Sequence, residues 1–203
     1  MFAELLAHPG VREVVELRSR FGFLAFHGGS LEKVTDEIAS AAAEAAGASL
    51  YAVVQPPDLR WHVPSDAVDP AASPALQAFV EHVDTAIAVH GFGRPTMFTT
   101  ILLGGGNREL AAALATHARA ALPDYTVVDD LDQVPVELRG LHPTNPINRL
   151  RRSGVQLELP PRVRGLGPYW DDPSRSRDAR GRAPHTAALI DALVGTAREH
   201  RDE

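Results

Sequence analysis

Phe21-Gly-Phe-Leu-Ala-Phe-His27-Gly-Gly-Ser-Leu-Glu32-Lys-Val-Thr-Asp-Glu37 is the stretch from which the fold is read. It starts as an apolar run of strand length, stops at a histidine before two glycines, and passes into a pattern rich in Ala and Glu. The spacing predicts a helix from Leu31 to Ala46, with Ser30 as N-cap and Gly47 as the stop, followed by a second strand from Ser49 to Val54. Strand, helix and strand at this spacing form a βαβ unit, which places the two strands parallel with a right-handed crossover.

Two further apolar runs end the same way. Thr85-Ala-Ile-Ala-Val-His90 is followed by Gly91, and Val155-Gln-Leu-Glu158 by Leu159 and the pair Pro160-Pro161. Ligands of open α/β sheets sit outside the carboxyl ends of the strands, so three polar strand tips point to one shared site. Additional strands are expected at Phe98 to Leu103 and Tyr125 to Val128, and helices at 74–83, 108–121 and 184–200. Residues 3–19 read as a short amphipathic helix interrupted near Pro9-Gly10. The expected fold is α/β: a single-domain three-layer αβα sandwich with a mixed, largely parallel sheet. Residues 1–203 form one domain in this reading, with an N-terminal helical segment (1–20), a long Arg-rich loop (160–183) and a closing helix (184–200).

Composition narrows the chemistry. The chain has 203 residues, of which 44% are hydrophobic, enough for one well-buried core. It has no cysteine, so a metal must take imidazole and carboxylate ligands. A net charge of −6 argues against a nucleic-acid partner. Acids interrupt the N-terminus and no stretch approaches the roughly 18 apolar residues of a membrane span, so a cytoplasmic protein without membrane contact is expected. Charge is uneven, however: nine arginines face four acids between Arg149 and Arg182, a segment suited either to an anionic partner or to solvent.

A catalytic zinc takes three protein ligands and leaves one position open, and His27, Glu32 and His90 supply such a set. One histidine at a strand end more often caps a backbone group; two at equivalent ends, each before glycine, favour a shared ligand. Glu158 alternates with the apolar Val155, Leu157 and Leu159. A carboxylate on a buried strand needs a partner or a cleft, and the role of general base beside a metal would supply the reason. Asn148 and Arg149 would hold a substrate carboxylate, with Arg94 and Arg164 as further loop candidates. The Gly104-Gly-Gly106-Asn107 turn offers backbone amides to an anion or is simply a tight connection.

His27-Gly-Gly-Ser-Leu-Glu32-Lys-Val-Thr35-Asp-Glu37-Ile38-Ala39 and Ala88-Val-His90-Gly91 resemble the poly-γ-glutamate hydrolase family first known from bacteriophages. The resemblance continues through Gly104-Gly-Gly-Asn107-Arg-Glu-Leu110, Leu138-Arg-Gly-Leu-His-Pro143-Thr-Asn145-Pro-Ile-Asn148-Arg149 and Gly154-Val-Gln-Leu-Glu158-Leu, covering most of residues 21–165. It implies a zinc-carboxypeptidase-like fold and cleavage of γ-glutamyl amide bonds in an anionic, glutamate-containing substrate. His27, Glu32 and His90 would be the zinc ligands and Glu158 the base and later proton donor, with Asn148 and Arg149 on the substrate side and Tyr169 swinging over the site. The ligand pair departs from the carboxypeptidase spacing, being His-x-x-x-x-Glu instead of His-x-x-Glu, which leaves Glu37 as an alternative to Glu32. The segment Trp61-His62-Val-Pro-Ser65 resembles the family's His-x-Thr-Ser stretch only loosely. Two other functions are carried alongside: a zinc amidohydrolase of a small N-acyl or γ-glutamyl compound, and a non-catalytic module that binds anionic ligands.

Overall fold

The computed structural model describes residues 1–167 and 177–200. Its elements run α1 (Phe2–Leu6), β1 (Arg12–Glu16), β2 (Phe21–Gly29), α2 (Thr35–Ala46), β3 (Ser49–Gln55), α3 (Pro74–His82), β4 (Thr85–Gly91), β5 (Thr100–Gly104), α4 (Arg108–Ala121), β6 (Thr126–Val128), β7 (Val155–Leu159) and α5 (Pro184–His200). The strands join one seven-stranded sheet in the order β1-β3-β2-β4-β7-β5-β6. Its centre, β3-β2-β4-β7, is parallel, while β1 runs antiparallel to β3 and β5 antiparallel to β7.

β2, β4 and β7 are buried almost end to end, which is why their sequences read as continuous apolar runs rather than as alternating ones. Helices cover both faces. Phe21, Phe23, Ile87, Leu157 and their neighbours pack under α2, α4 and α5. Leu24, Phe26, Tyr51 and Ala88 face α1, α3 and the loops around them. Full burial of a Phe or Leu side chain contributes about 1.5–3 kcal/mol, so these two layers are the main source of stability. The expected αβα sandwich is therefore the observed architecture.

The N-terminal segment corrects the sequence reading. Only Phe2–Leu6 is helical; Gly10 sits at φ +84° and residues 12–16 form β1. Val14 and Val15 are β-branched and pair with Ala52 and Tyr51, so the segment covers an edge of β3 that would otherwise be open. Glu13 accepts hydrogen bonds from the Tyr51 hydroxyl (2.5 Å) and from Ser73, tying β1 to the start of α3.

A second correction concerns the site directly. α2 begins at Thr35, four residues later than predicted, and Ser30 does not cap it but contacts the Leu59 carbonyl. Residues 30–34 form a turn in which the Glu32 amide donates to the His27 carbonyl (2.9 Å), Thr35 Oγ1 donates to the Glu32 carbonyl (2.7 Å), and Val34 takes a left-handed φ of +77°. That turn folds Glu32 back over the end of β2.

Candidate metal centre and active-site cleft

His27, His90 and Glu158 end three adjacent parallel strands, and the register makes His90 and Glu158 direct neighbours across β4 and β7. Strict alternation would put His27 on the opposite face, with Phe21, Phe23 and Ala25 under the helices. A β-bulge prevents this. Between Ala25 and Gly28 the pairing of β2 with β3 slips by one residue, and the His27 ring turns toward His90, 5.1 Å away between centroids. Gly29 completes the bend at φ +71°, where a Cβ would stand 2.2 Å from the Gln55 carbonyl oxygen.

The three predicted ligands converge. His27 Nδ1 lies 2.8 Å from Glu32 Oε1 and 3.3 Å from His90 Nδ1, and His90 Nδ1 lies 3.5 Å from Glu32 Oε2. Ligands held tetrahedrally at about 2.0–2.2 Å from zinc stand roughly 3.3–3.6 Å apart, as the two spacings to His90 do, while His27 and Glu32 stand at hydrogen-bond distance. His27 Nε2 donates to the Val63 carbonyl at 2.8 Å, which fixes the ring so that Nδ1 faces the cluster, where it donates to Glu32 in the metal-free chain and would offer its lone pair to a bound cation. His90 Nε2 is buried without a hydrogen-bond partner. Two imidazole nitrogens facing each other beside a carboxylate form a donor set short of a cation, so these residues fit a zinc-sized ion.

Charge follows from this crowding. Burial alone would raise the Glu32 carboxyl, yet the charge and hydrogen bond of His27 and the hydrogen bond from His90 hold it well below the usual carboxylate range. Burial would lower His90, but Glu32 and then Glu158 raise it above the ordinary imidazole value. Glu158 behaves differently. Burial pushes its carboxyl up to about 7, opposed by His90 and reinforced by the charge of Glu32. Its Oε1 accepts a hydrogen bond from Gln156 Nε2 (2.9 Å), and Gln156 Oε1 accepts one from the buried Asn145 amide (3.0 Å), so the carboxylate is oriented from behind.

These side chains form the floor of a cleft of about 690 Å³, whose lining also includes Phe92, Val136, Leu141, His142 and Asp66. His62 is at its wall, and one donor atom each of His27, Glu32 and His62 falls within 4.8 Å of the others. Sequence reasoning passed over His62 as a ligand. The only available signal was the loosely matching Trp61-His62 segment. Gln156 and Asn145 were likewise missed in this role, because an orienting relay is invisible until the chain folds. Burial lowers the His62 imidazole, with the positive side of His27 adding to the effect, so it is a neutral donor in reach of the cluster.

Other expectations are redistributed. Glu37 lines a separate cavity with Lys33 and Arg60, so Glu32 is the carboxylate that reaches the histidines. Asn148 does not face the cleft: its amide donates to the Gly140 and His142 carbonyls and its Oδ1 accepts from Gly106, pinning two loops together. Arg149 lies outside the lining, exposed, 3.8 Å from Asp69, and Arg94 pairs with Glu137 on the rim. The glycine turn is not an anion site, since the amides of Gly105, Gly106 and Asn107 already donate to Arg139, Asn148 and Gly154. Tyr169 lies outside the described residues. Of the Arg-rich segment, Arg151, Arg180 and Arg182 pair at the surface with Asp84, Glu44 and Asp178. No arginine or lysine is among the described residues that line the cleft.

The sequence profile of the poly-γ-glutamate hydrolase family matches residues 2–170. The chain belongs to that family. Among solved structures, a bacteriophage poly-γ-glutamate hydrolase is similar, with a TM-score of 0.74 at 20% identity over 94% of this chain and 89% of the other. The zinc-free apo form of YNDL is equally close at TM-score 0.74 and 20% identity, covering 93% of this chain and 90% of that one. A metallo-carboxypeptidase from Burkholderia cenocepacia shares the fold more distantly, at TM-score 0.52 and 11% identity over 98% of this chain and 67% of its own. No curated protein gives a significant match. Among the described residues, no helix is long and apolar enough to cross a membrane. This family member thus places His27, His90 and Glu158 on strands of a carboxypeptidase-like sheet.

Proposed function

We propose that the chain is a zinc-dependent amide hydrolase of γ-glutamyl linkages, with His27, Glu32 and His90 as zinc ligands and Glu158 as general base. The observation that carries this is the pairing of His90 with Glu158 across β4 and β7, which sets a buried carboxyl of pKa about 7 beside a convergent three-donor cluster at the floor of a cleft. Zinc, when bound, would acidify a water and polarise the scissile carbonyl.

The protein's own part is positional. Val63 and the Gly91 amide, which donates to Glu32 Oε2 at 2.9 Å, fix two of the donors. Glu158, steadied by Gln156, takes a proton from the attacking water and returns it to the leaving amine. Both transfers need Glu158 at the cleft floor, ionised to accept the proton and then protonated to give it back.

Metal analysis of the purified chain together with release of new amines from poly-γ-glutamate and from short γ-glutamyl peptides tests the proposal. About one zinc per chain and hydrolysis of at least one γ-linked substrate are expected. A folded chain that binds no zinc and cleaves neither would sink it. The cleft lining carries acids, Asp66 and Glu137 among them, and no described lysine or arginine, which favours a narrower version, in which a small γ-glutamyl compound is preferred to the polyanionic polymer. Comparison of the two substrates in that assay decides between them.

A further inference from the structure

Arg164 stands in the turn after β7 and has no part in the chemistry assigned above. As a loop arginine it was a further candidate for the substrate side, otherwise read as a surface residue. Its side chain is instead buried, at 7% exposure, behind the metal centre. Nη1 donates to the Lys33 carbonyl at 3.0 Å and Nη2 to the Phe92 carbonyl at 3.3 Å. One guanidinium therefore binds the residue next to Glu32 and the residue two beyond His90, while its own backbone lies six residues after Glu158. The neighbouring Val163 is fully buried, and its carbonyl accepts a hydrogen bond from Thr186 on α5 at 2.8 Å, so this clasp has a rigid base.

Gly91 makes room for it. A Cβ there would come within 2.6 Å of Nη1 and 2.7 Å of Cζ, so the guanidinium lies against the Gly91 α-carbon, whose own amide holds Glu32 Oε2. A buried guanidinium is a poor device for stability alone, since its desolvation offsets most of what its partners return. Its Nε is left without a partner, which adds to that cost. Tying two ligand-bearing segments together accounts for both the burial and the choice of carbonyl partners.

We propose that Arg164 is a positioning residue that clasps the turn carrying Glu32 to the strand end carrying His90 and so sets the spacing of the metal donors. This rests on the zinc reading of the site. Partners that hydrogen-bond metal ligands directly change metal affinity by about 10–100-fold when removed, and a clasp on the backbone beside two ligands acts on the same geometry. The test measures zinc affinity by chelator competition and the visible spectrum of the cobalt(II)-loaded full chain, for the wild type, Arg164→Gln, Arg164→Lys and Gly91→Ala. Arg164→Gln should weaken zinc by about 10–100-fold and alter the cobalt spectrum, with partial recovery in Arg164→Lys. Gly91→Ala displaces the guanidinium without removing it, and should weaken zinc in the wild type but add little to Arg164→Gln. Zinc binding by the wild type with unchanged affinity and spectrum in a folded Arg164→Gln overturns the clasp alone. If that variant does not fold, unchanged affinity in Gly91→Ala overturns it. A wild type that takes up no zinc overturns the functional proposal, and the clasp with it.

Discussion

Glu158 is a carboxyl whose neighbours determine which protonation state it can hold. With burial raising it to about 7, the folded chain keeps a proton that the unfolded chain releases near its ordinary value of 4.5. Metal-free protein should therefore lose stability as pH rises from about 4.5 to about 7, and His90, also raised, acts in the same direction as it loses its proton. Glu32 has the opposite sign, and its contribution is lost only as pH falls below the usual carboxylate range. Thermal melts of the metal-free chain across this range should show the decline, with a shallower slope in Glu158→Gln; an equal slope would remove burial as the cause. In the zinc-loaded enzyme Glu158→Gln should keep its metal and lose about 10²–10⁴-fold in kcat. The choice of third ligand is testable in the same way. His90→Ala should abolish stoichiometric zinc, whereas His62→Ala should retain it, because the His90 ring is enclosed against both other donors and His62 reaches them from the open side of the cleft. Zinc retained in His90→Ala and lost in His62→Ala would reverse the assignment. His27, His90 and Glu158 drew notice in the sequence because each ends an apolar run at a point where a polar group needs a reason; Glu32 was picked by its spacing from His27, with Glu37 as the alternative, and its approach to both histidines belongs to the fold.

At the scale of elements, the strands and most helices were legible for a similar reason. α4 and α5 have the predicted bounds, and β2, β4 and β7 are strongly apolar because both of their faces are covered. The misread elements are those whose conformation is decided by distant partners. Arg12–Glu16 has too few residues to express a period, and it becomes a strand by borrowing the edge of β3. The Leu31–Val34 segment has helical composition but is bent by contacts with the end of β2. Gly29 is where this bend is most constrained. Gly29→Ala should cost at least about 1–2 kcal/mol from the left-handed backbone alone, and more from the collision with Gln55. A denaturant titration that shows no loss of stability, or zinc affinity that survives intact, would argue that the bulge does not place His27.

For the whole molecule, the distribution of charge separates composition from function. The Arg-rich segment suggested electrostatic capture of a polyanion, but among the described residues Arg151, Arg180 and Arg182 go to ion pairs and Arg177 to backbone carbonyls, and none of them lines the cleft. Screening should then matter little. Raising salt from about 0.05 to 0.3 M should change kcat/KM on a γ-glutamyl peptide by less than about threefold, since no described lining residue is a lysine or arginine. A steep fall with salt would return the arginines to the substrate path.

Local pattern was enough for the alternation of strands and helices, the cysteine-free ligand set, and the three polar tips, since burial and propensity act on neighbouring residues. It did not reach the face on which His27 points, the relay from Asn145 through Gln156 to Glu158, or the destination of Arg164. Those depend on a one-residue slip in pairing and on how separate segments meet, as when Arg164 reaches the Lys33 carbonyl across 131 positions of chain. Only packing of the whole sheet brings such groups within hydrogen-bonding distance, and there the cost of leaving a buried polar atom unpaired selects one arrangement.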